Sequence, residues 1–242
     1  MLGILGGMGP MATVDFMRKL VDATPATRDQ DHLGALVLQA PDIPDRTRAI
    51  LGGGPDPLPA MAAGLRRLEA AGATRIAIPC NTAHHWHAVL QARTALPILH
   101  IVEAVAGTLL ARGYRGGSVG LLATSGTLAA GIYPERLARH GFVCVSPADQ
   151  DAVMRAIRLA KAGAVAEAGL ILRDQARGLI AAGCGPVVLA CTEIPLALAA
   201  SGENLGDPFL DATRALAEAC VAASRAPEGR VAGCRVAGCL AA

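Results

Sequence analysis

Two cysteines, Cys80 and Cys191, are the residues of this chain best placed to do chemistry. Each ends a short apolar run, residues 76–79 in the first case and 187–190 in the second, and small amide or hydroxyl residues follow at once. A run that is apolar on both faces is typical of a central parallel strand. In open α/β folds, ligands bind at the carboxyl ends of such strands. The sequence therefore predicts two thiols at a ligand-binding sheet edge.

A pair of thiols suits proton transfer at carbon. The α-proton of an amino acid is weakly acidic, so a base on one face must remove it while an acid on the other face returns one. A thiol with an ordinary pKa near ~8.5 can serve in either state when a helix N-terminus or a cation lowers that value. Asn81, Thr82 and Thr192 add donors for a carboxylate that gains negative charge. The pair predicts a two-base site.

The elements that would position these thiols occur twice. A strand at 2–5 leads into the glycine loop 6–10 and a helix from Met11, and a strand at 118–122 leads into the loop 123–127 and another helix. Gly120 lies 117 residues after Gly3, and Cys191 lies 111 residues after Cys80. Two similar offsets indicate two halves of like design.

The remaining periodic segments complete the prediction. Further strands are expected at 35–39 and 98–102. Helices are expected at 59–71, 84–93, 153–162, 170–181 and 211–223. The last helix is expected to pack back on the first half. A tail at 227–242 contains Arg-Val-Ala-Gly-Cys twice, and we assign it no function.

Composition limits the class of protein. The 242 residues are 52% hydrophobic but only 2% aromatic, and the formal net charge is +2 without a basic block. Neither nucleic-acid binding nor membrane association is expected, since stacking residues, basic patches and a spanning apolar segment are missing. No signal peptide is evident, so a cytoplasmic location is predicted. Seven cysteines without a C-x-x-C pair indicate free thiols in a reducing compartment.

Cofactor chemistry has little support. The glycine loop lacks G-x-G-x-x-G spacing, which disfavours a dinucleotide. Pyridoxal phosphate needs a lysine, and Lys19 and Lys161 lack the context of such a site. Cys80, His84, His85 and His87 are close enough in sequence to suggest a metal site, but no carboxylate joins the group. A cysteine hydrolase that used Cys80 and His84 is a second alternative, and it would leave Cys191 without a role. We expect no metal and no cofactor.

Five segments together resemble the aspartate/glutamate racemase family, and its aspartate racemase branch most closely. They are Gly-Gly-Met-Gly-Pro at 6–10, Pro-Asp-Arg-Thr at 44–47, Pro-Cys-Asn-Thr-Ala-His at 79–84, Ala-Thr-Ser-Gly-Thr at 123–127 and Cys-Thr-Glu-Ile-Pro-Leu at 191–196. The resemblance covers roughly residues 2 to 223. The two cysteine motifs are its most specific part.

The resemblance implies an α/β fold of two pseudo-symmetric three-layer domains with mainly parallel sheets, and an active site in the cleft between them. Residues 1–102 with 206–226 would form the first domain and 103–205 the second. It also implies a homodimer that acts on a small-molecule amino acid without a cofactor.

Residue by residue, the resemblance makes Cys80 and Cys191 the catalytic pair, with Cys191 on the L face. Arg46 matches a family arginine that would pair with a carboxylate, and Lys161 matches a family lysine at a helix end. Met8, Gly9 and Thr124 would line the site. Two basic side chains point to a second carboxylate on the substrate, so aspartate or glutamate is the first choice.

Two alternatives stay open. Related enzymes of the superfamily isomerise maleate or decarboxylate malonates, and retention of both thiols favours racemisation over these. A non-catalytic α/β protein that binds a small ligand would leave the thiols idle.

Overall fold

Residues 1–225, which the computed structural model describes, form seven strands and eleven α-helices. The strands are β1 (Leu2–Gly6), β2 (Ala35–Gln39), β3 (Arg75–Ala77), β4 (Gly117–Ala123), β5 (Phe142–Val145), β6 (Val187–Ala190) and β7 (Phe209–Asp211). The helices are α1 (Pro10–Ala23), α2 (Arg46–Ile50), α3 (Leu58–Ala70), α4 (His87–Gln91), α5 (Ile101–Ala111), α6 (Ser125–Ala129), α7 (Ile132–Leu137), α8 (Gln150–Lys161), α9 (Val165–Ala181), α10 (Glu193–Ala200) and α11 (Ala212–Arg225).

The strands form two parallel sheets. The first has the order β2-β1-β3, and Ile4 pairs with Val37 on one side and Ala77 on the other. The second has the order β5-β4-β6-β7, and Leu189 pairs with Leu122 and Asp211. Parallel strands covered by helices are apolar on both faces, as β1 and β6 are, because neither face meets water.

The two halves repeat one design, which confirms the predicted fold class. In each half the first strand lies between the second and the third, and a cysteine follows the third strand. β1 and β4 are therefore counterparts, and so are β3 and β6. In both halves the first strand is followed by a loop and then by a helix, as the sequence predicts.

Two expectations need correction. Residues 98–102 are not a strand: Ile98 makes one isolated bridge with Ile76, and α5 begins at Ile101. The helix expected at 84–93 is divided into a 3₁₀ turn, Thr82–Trp86, and the short α4. Residues 209–211 form β7, which pairs with β6 in the second sheet.

The last helix packs as predicted, because α11 contacts α1 of the first half. A central apolar cluster joins the halves and includes Ile4 of β1, Phe16 of α1, Val105 of α5, Leu121 of β4 and Leu216 of α11. Each half also has an apolar cluster of its own. The exact division into domains stays a prediction, and burial of the central cluster holds the halves against each other.

Two glycines allow close approaches near the cleft. Gly7 has φ +92°, and a Cβ there would lie 2.5 Å from the Ala40 backbone. A Cβ on Gly126 would lie 2.7 Å from Cα of Thr47, because α6 of the second half rests against α2 of the first. Only glycine fits either position without a shift of the neighbouring backbone.

Within residues 1–225, no helix combines the length and the apolar character needed to cross a membrane. The predicted tail at 227–242, with its repeated pentapeptide, lies outside the described residues.

Candidate active site

The two cysteines lie at the carboxyl edges of the two sheets, as predicted. Cys80 comes three residues after the end of β3, and Cys191 directly follows β6. Both are buried, with about 6% of their surface exposed. Cys191 precedes the eight-residue helix α10, whereas Cys80 precedes only a 3₁₀ turn. The local surroundings of the two thiols therefore differ although their places in the fold correspond.

One small cavity receives residues from both halves. Its volume is about 20 Å³, which is close to the room that one water molecule needs. Its lining comprises Met8, Asp45, Arg46, Thr47, Cys80, Asn81, Thr82, Thr124, Lys161, Cys191, Thr192 and Glu193. The structure thus brings nine of our ten predicted site residues together. Gly9, the tenth, lines a larger groove that shares Arg46, Lys161 and Glu193 with the cavity.

The Cys191 thiol is held in its protonated form. Its Sγ donates to the Glu193 carboxylate at 3.0 Å, and the Thr192 hydroxyl donates to the same oxygen at 2.9 Å. Burial, and then the charge of Glu193, raises the pKa of Cys191 well above its usual range. Cys191 is therefore a proton donor in the free protein.

Two cations face the cavity. Arg46 donates through one terminal nitrogen to the carbonyls of Ile43 and Pro44, each at 3.0 Å, which fixes its guanidinium. Its Nε is buried and has no hydrogen-bond partner within residues 1–225. Lys161 ends α8. Burial alone would lower the pKa of Lys161, but Glu193 and the two thiols outweigh it and raise that pKa above its ordinary value.

A triangle of hydroxyls closes the floor of the cleft. Thr82 lies 3.0 Å from the Thr124 hydroxyl and 2.8 Å from that of Thr127, and Thr124 and Thr127 are 3.0 Å apart. Thr82 belongs to the first half and the other two to the second. The triangle ties the Cys80 loop to the opposite half, since three mutually bonded buried hydroxyls restrict one another.

Sequence reasoning assigned no role to five residues at or beside the cavity. Asp45 and Thr47 flank Arg46 in its motif, and Glu193 stands in the Cys191 motif, so adjacency was an available signal. Thr127 ends the Ala-Thr-Ser-Gly-Thr segment and lies 3.0 Å from the Thr124 hydroxyl, so its motif was an available signal too. Tyr133 reaches the site through a contact across 52 residues of chain, and no local pattern marks it.

Three histidines lie behind the Cys80 loop, of which His84 and His100 are buried and His87 is half-buried. The ring centroid of His100 lies 4.8 Å from that of His84 and 4.5 Å from that of His87. His84 donates through Nε2 to the Ile78 carbonyl at 3.0 Å, so it orients the strand end before Cys80. No group of three His, Cys, Asp or Glu side chains in the described part of the chain is arranged to hold a metal ion.

Because His84 and His100 are buried, we expect the free energy of unfolding to fall at acid pH. Burial lowers the pKa of His84 to about 3, and burial also lowers the pKa of His100, whereas a histidine of the unfolded chain titrates near ~6.5. The unfolded chain therefore binds more protons, and stability falls as the pH drops from about 6.5 toward 3. Urea unfolding at a series of pH values measures this loss.

Two asparagine variants, one at a buried and one at an exposed histidine, measure how much His100 contributes to the pH dependence of stability. His100 accepts from the Val102 amide through Nδ1 and caps α5, and asparagine also caps helices well. His100→Asn is expected to flatten the pH dependence between 6.5 and 4.5, while the same change at the exposed His32 leaves it unaltered. If the free energy of unfolding depended on pH equally in His100→Asn and His32→Asn, the buried His100 would not be a source of the acid sensitivity.

The fold and the cavity together define a two-half α/β protein with a pair of buried thiols in the cleft. The family pattern described as Asp/Glu/Hydantoin racemase matches residues 5–220. The chain belongs to this family, whose members are isomerases.

Similar proteins agree with this assignment. The structure of aspartate racemase from Picrophilus torridus is 33% identical with a TM-score of 0.75, over 92% of this chain and 93% of that one. The broad specificity amino-acid racemase RacX of Bacillus subtilis is 30% identical over 154 residues, which cover 58% of this chain and 62% of that protein.

A glutamate racemase from Francisella tularensis, in complex with D-glutamate, has a TM-score of 0.67 at 14% identity, over 92% of this chain and 80% of that one. That likeness shows the fold alone.

Proposed function

We propose that this protein is a cofactor-independent amino-acid racemase in which Cys80 and Cys191 act on opposite faces of the α-carbon. The observation that carries the proposal is the shared cavity, in which one buried thiol from each half meets carboxylate-binding groups. Family membership supports the same reaction class.

The reaction needs one thiolate and one thiol. The thiolate removes the α-proton, and the electron pair left on carbon spreads into the α-carboxylate. The opposite thiol then donates its proton to the other face, so the two sulfurs exchange protonation states and no atom is gained or lost. Lys161 would stabilise whichever sulfur is anionic, since its charge faces both. Asn81, Thr82 and Thr192 would donate to the carboxylate as its charge grows.

The free protein has a preferred direction in this scheme. Because Cys191 carries its proton in the free protein, a turnover that starts from this state uses Cys191 as the acid and needs Cys80 as the base. The family resemblance places Cys191 on the L face, so such a turnover would convert the D enantiomer. A turnover in that direction leaves Cys191 as the thiolate beside Lys161, ready for the L enantiomer.

The substrate we propose is aspartate or glutamate. Arg46 and Lys161 supply positive charge at one side of the cavity, and the Arg46 Nε has a free hydrogen for an acceptor. Met8, Gly9 and Thr124 would complete the pocket around the substrate. The homodimer and the cytoplasmic location also remain predictions, which the family resemblance and the composition support.

Exchange of the α-proton tests the function. The purified protein in deuterated buffer, with chelator and without pyridoxal phosphate, is mixed with single amino acid enantiomers and followed by NMR. Aspartate or glutamate should lose its α-proton signal. Asparagine and glutamine are matched controls that lack only the second charge, and their exchange should be slower by roughly 10- to 100-fold, because a hydrogen bond to a charged group contributes about 1.5–3 kcal/mol.

Other outcomes discriminate the alternatives. Equal exchange of acids and amides would remove the role proposed for Arg46 and Lys161 while leaving the racemase intact. A folded protein that exchanges no amino acid would remove the racemase itself, and turnover of maleate or a malonate by that protein would then establish a sister activity.

A further inference from the structure

Tyr133 contacts a residue of the candidate active site but does not line the cavity itself. It lies in α7 of the second half, is fully buried, and donates its hydroxyl to Oδ1 of Asn81 at 2.6 Å. Asn81 belongs to the first half and follows Cys80 directly. Asn81 lines the cavity and Tyr133 does not. The Asn81 side chain therefore lies between the tyrosine and the cavity.

The hydrogen bond fixes which way the Asn81 amide faces. Burial raises the pKa of Tyr133 well above its usual range, so the phenol keeps its proton and acts as a donor. With Oδ1 as acceptor, the phenol is satisfied. In the flipped orientation its hydrogen would meet an amide nitrogen, and the phenol would lose the acceptor that it has within residues 1–225.

The fixed orientation leaves a donor without a partner. Nδ2 of Asn81 has no hydrogen-bond partner within residues 1–225. It is also shielded from water, because only about 2% of the residue is exposed. A buried donor without a partner costs free energy, so such groups are normally satisfied by a water molecule or a ligand. In this cavity the group that would satisfy Nδ2 is an oxygen of the substrate carboxylate.

We propose that Tyr133 is a positioning residue whose hydroxyl holds the Asn81 amide with its N–H donors directed at the substrate α-carboxylate. This inference rests on the proposed racemase function. It assigns a specific task to a second-half residue that makes no contact with the substrate. Asn81 is thereby oriented from the half that carries Cys191, while the chain attaches it to Cys80.

A double-mutant cycle tests the inference. Tyr133→Phe removes one oxygen and keeps the ring, and Asn81→Ala removes the oriented amide. Binding of aspartate by calorimetry and kcat/KM for racemisation are measured for the wild type, both single variants and the double variant. Tyr133→Phe should weaken binding and lower kcat/KM by about ten-fold, the value of one hydrogen bond to a charged group. In the Asn81→Ala background the same change should have less than about a two-fold effect.

Tyr114 provides a matched control, as the other of the two tyrosines. Its hydroxyl donates to Asp207 at 3.2 Å far from the cavity, so Tyr114→Phe should leave both constants unchanged. An unchanged Tyr133→Phe protein, or an equal loss with and without Asn81, would overturn the inference while the racemase stands. A Tyr133→Phe chain that does not fold would assign the hydroxyl a structural role and overturn it also. If the wild type exchanges no α-proton, both proposals fail together.

Discussion

Replacement of either Cys80 or Cys191 by alanine should abolish racemisation, with a loss of at least about 10²- to 10⁴-fold in kcat, the usual contribution of one acid–base group. The loss is large in both variants because net inversion needs a base on one face and an acid on the other. Alanine supplies neither. Conversion of one enantiomer to the other, followed by polarimetry or chiral chromatography, measures it.

Residual exchange distinguishes the two faces. A variant that keeps one thiol can still remove and return a proton on its own side, so slow α-proton exchange without inversion is expected for a single enantiomer. With Cys191 on the L face, Cys80→Ala should exchange the L enantiomer and Cys191→Ala the D enantiomer. The opposite pattern would reverse the assignment of the faces without removing the two-base mechanism.

Cys184 is the control for loss of a buried thiol as such. Its side chain is buried like those of the catalytic pair, and it packs in the same apolar cluster as Cys191, but it does not line the cavity. Cys184→Ala should therefore keep wild-type kcat. If Cys80→Ala or Cys191→Ala also kept it, the two-thiol mechanism would be wrong.

The sequence predicted those parts of the fold that have a local signal. β1 and β6 are continuous apolar runs bounded by loops, and such runs are typical of buried parallel strands. β2 is a similar run at the edge of its sheet. Residues 98–102 are an apolar run too, but its second part is the first turn of α5, capped by His100. Periodicity alone cannot separate a short strand from a buried helix start.

Two strands had weaker signals still. β5 was not predicted although Phe142–Val145 is a run of four apolar residues, because periodicity alone does not assign so short a run to a strand. β7 has only three residues, and it follows a loop that resembles the connection to the last helix. The pairing of β7 with β6 decides where it belongs, and pairing is a property of the assembled sheet.

The residues of the candidate site also fall into those that have a local sequence signal and those that have none. Cys80 and Cys191 were predictable because each is marked by its position at a strand end and by the residues after it. Tyr133 acts across the two halves, and its contact with Asn81 depends on how α7 packs against the Cys80 loop. A contact between residues so far apart in sequence follows from tertiary structure, which no local pattern encodes.

Lys19 should be the charged residue whose loss destabilises the fold most, by about 3–5 kcal/mol for Lys19→Met, the usual cost of breaking a buried ion pair. Its amine is buried, forms ion pairs with Asp15 and, at 2.6 Å, with Asp211, and donates to the Thr213 hydroxyl at 2.8 Å. The cluster joins α1 of the first half to the end of β7 in the second. Without the amine, two buried carboxylates would lose their shared counter-charge.

The neighbouring Arg18 gives a stringent comparison, since it contacts the same Asp15 at 2.9 Å from a side chain that is 67% exposed. Arg18→Met should cost no more than about 1 kcal/mol, because water screens an exposed pair. Urea unfolding of both variants measures the difference. Adding Asp211→Asn to Lys19→Met should recover part of the loss, since asparagine can still cap α11 and no longer carries the unpaired charge. If Lys19→Met cost no more than Arg18→Met, the buried cluster would not be what holds α1 to the second sheet.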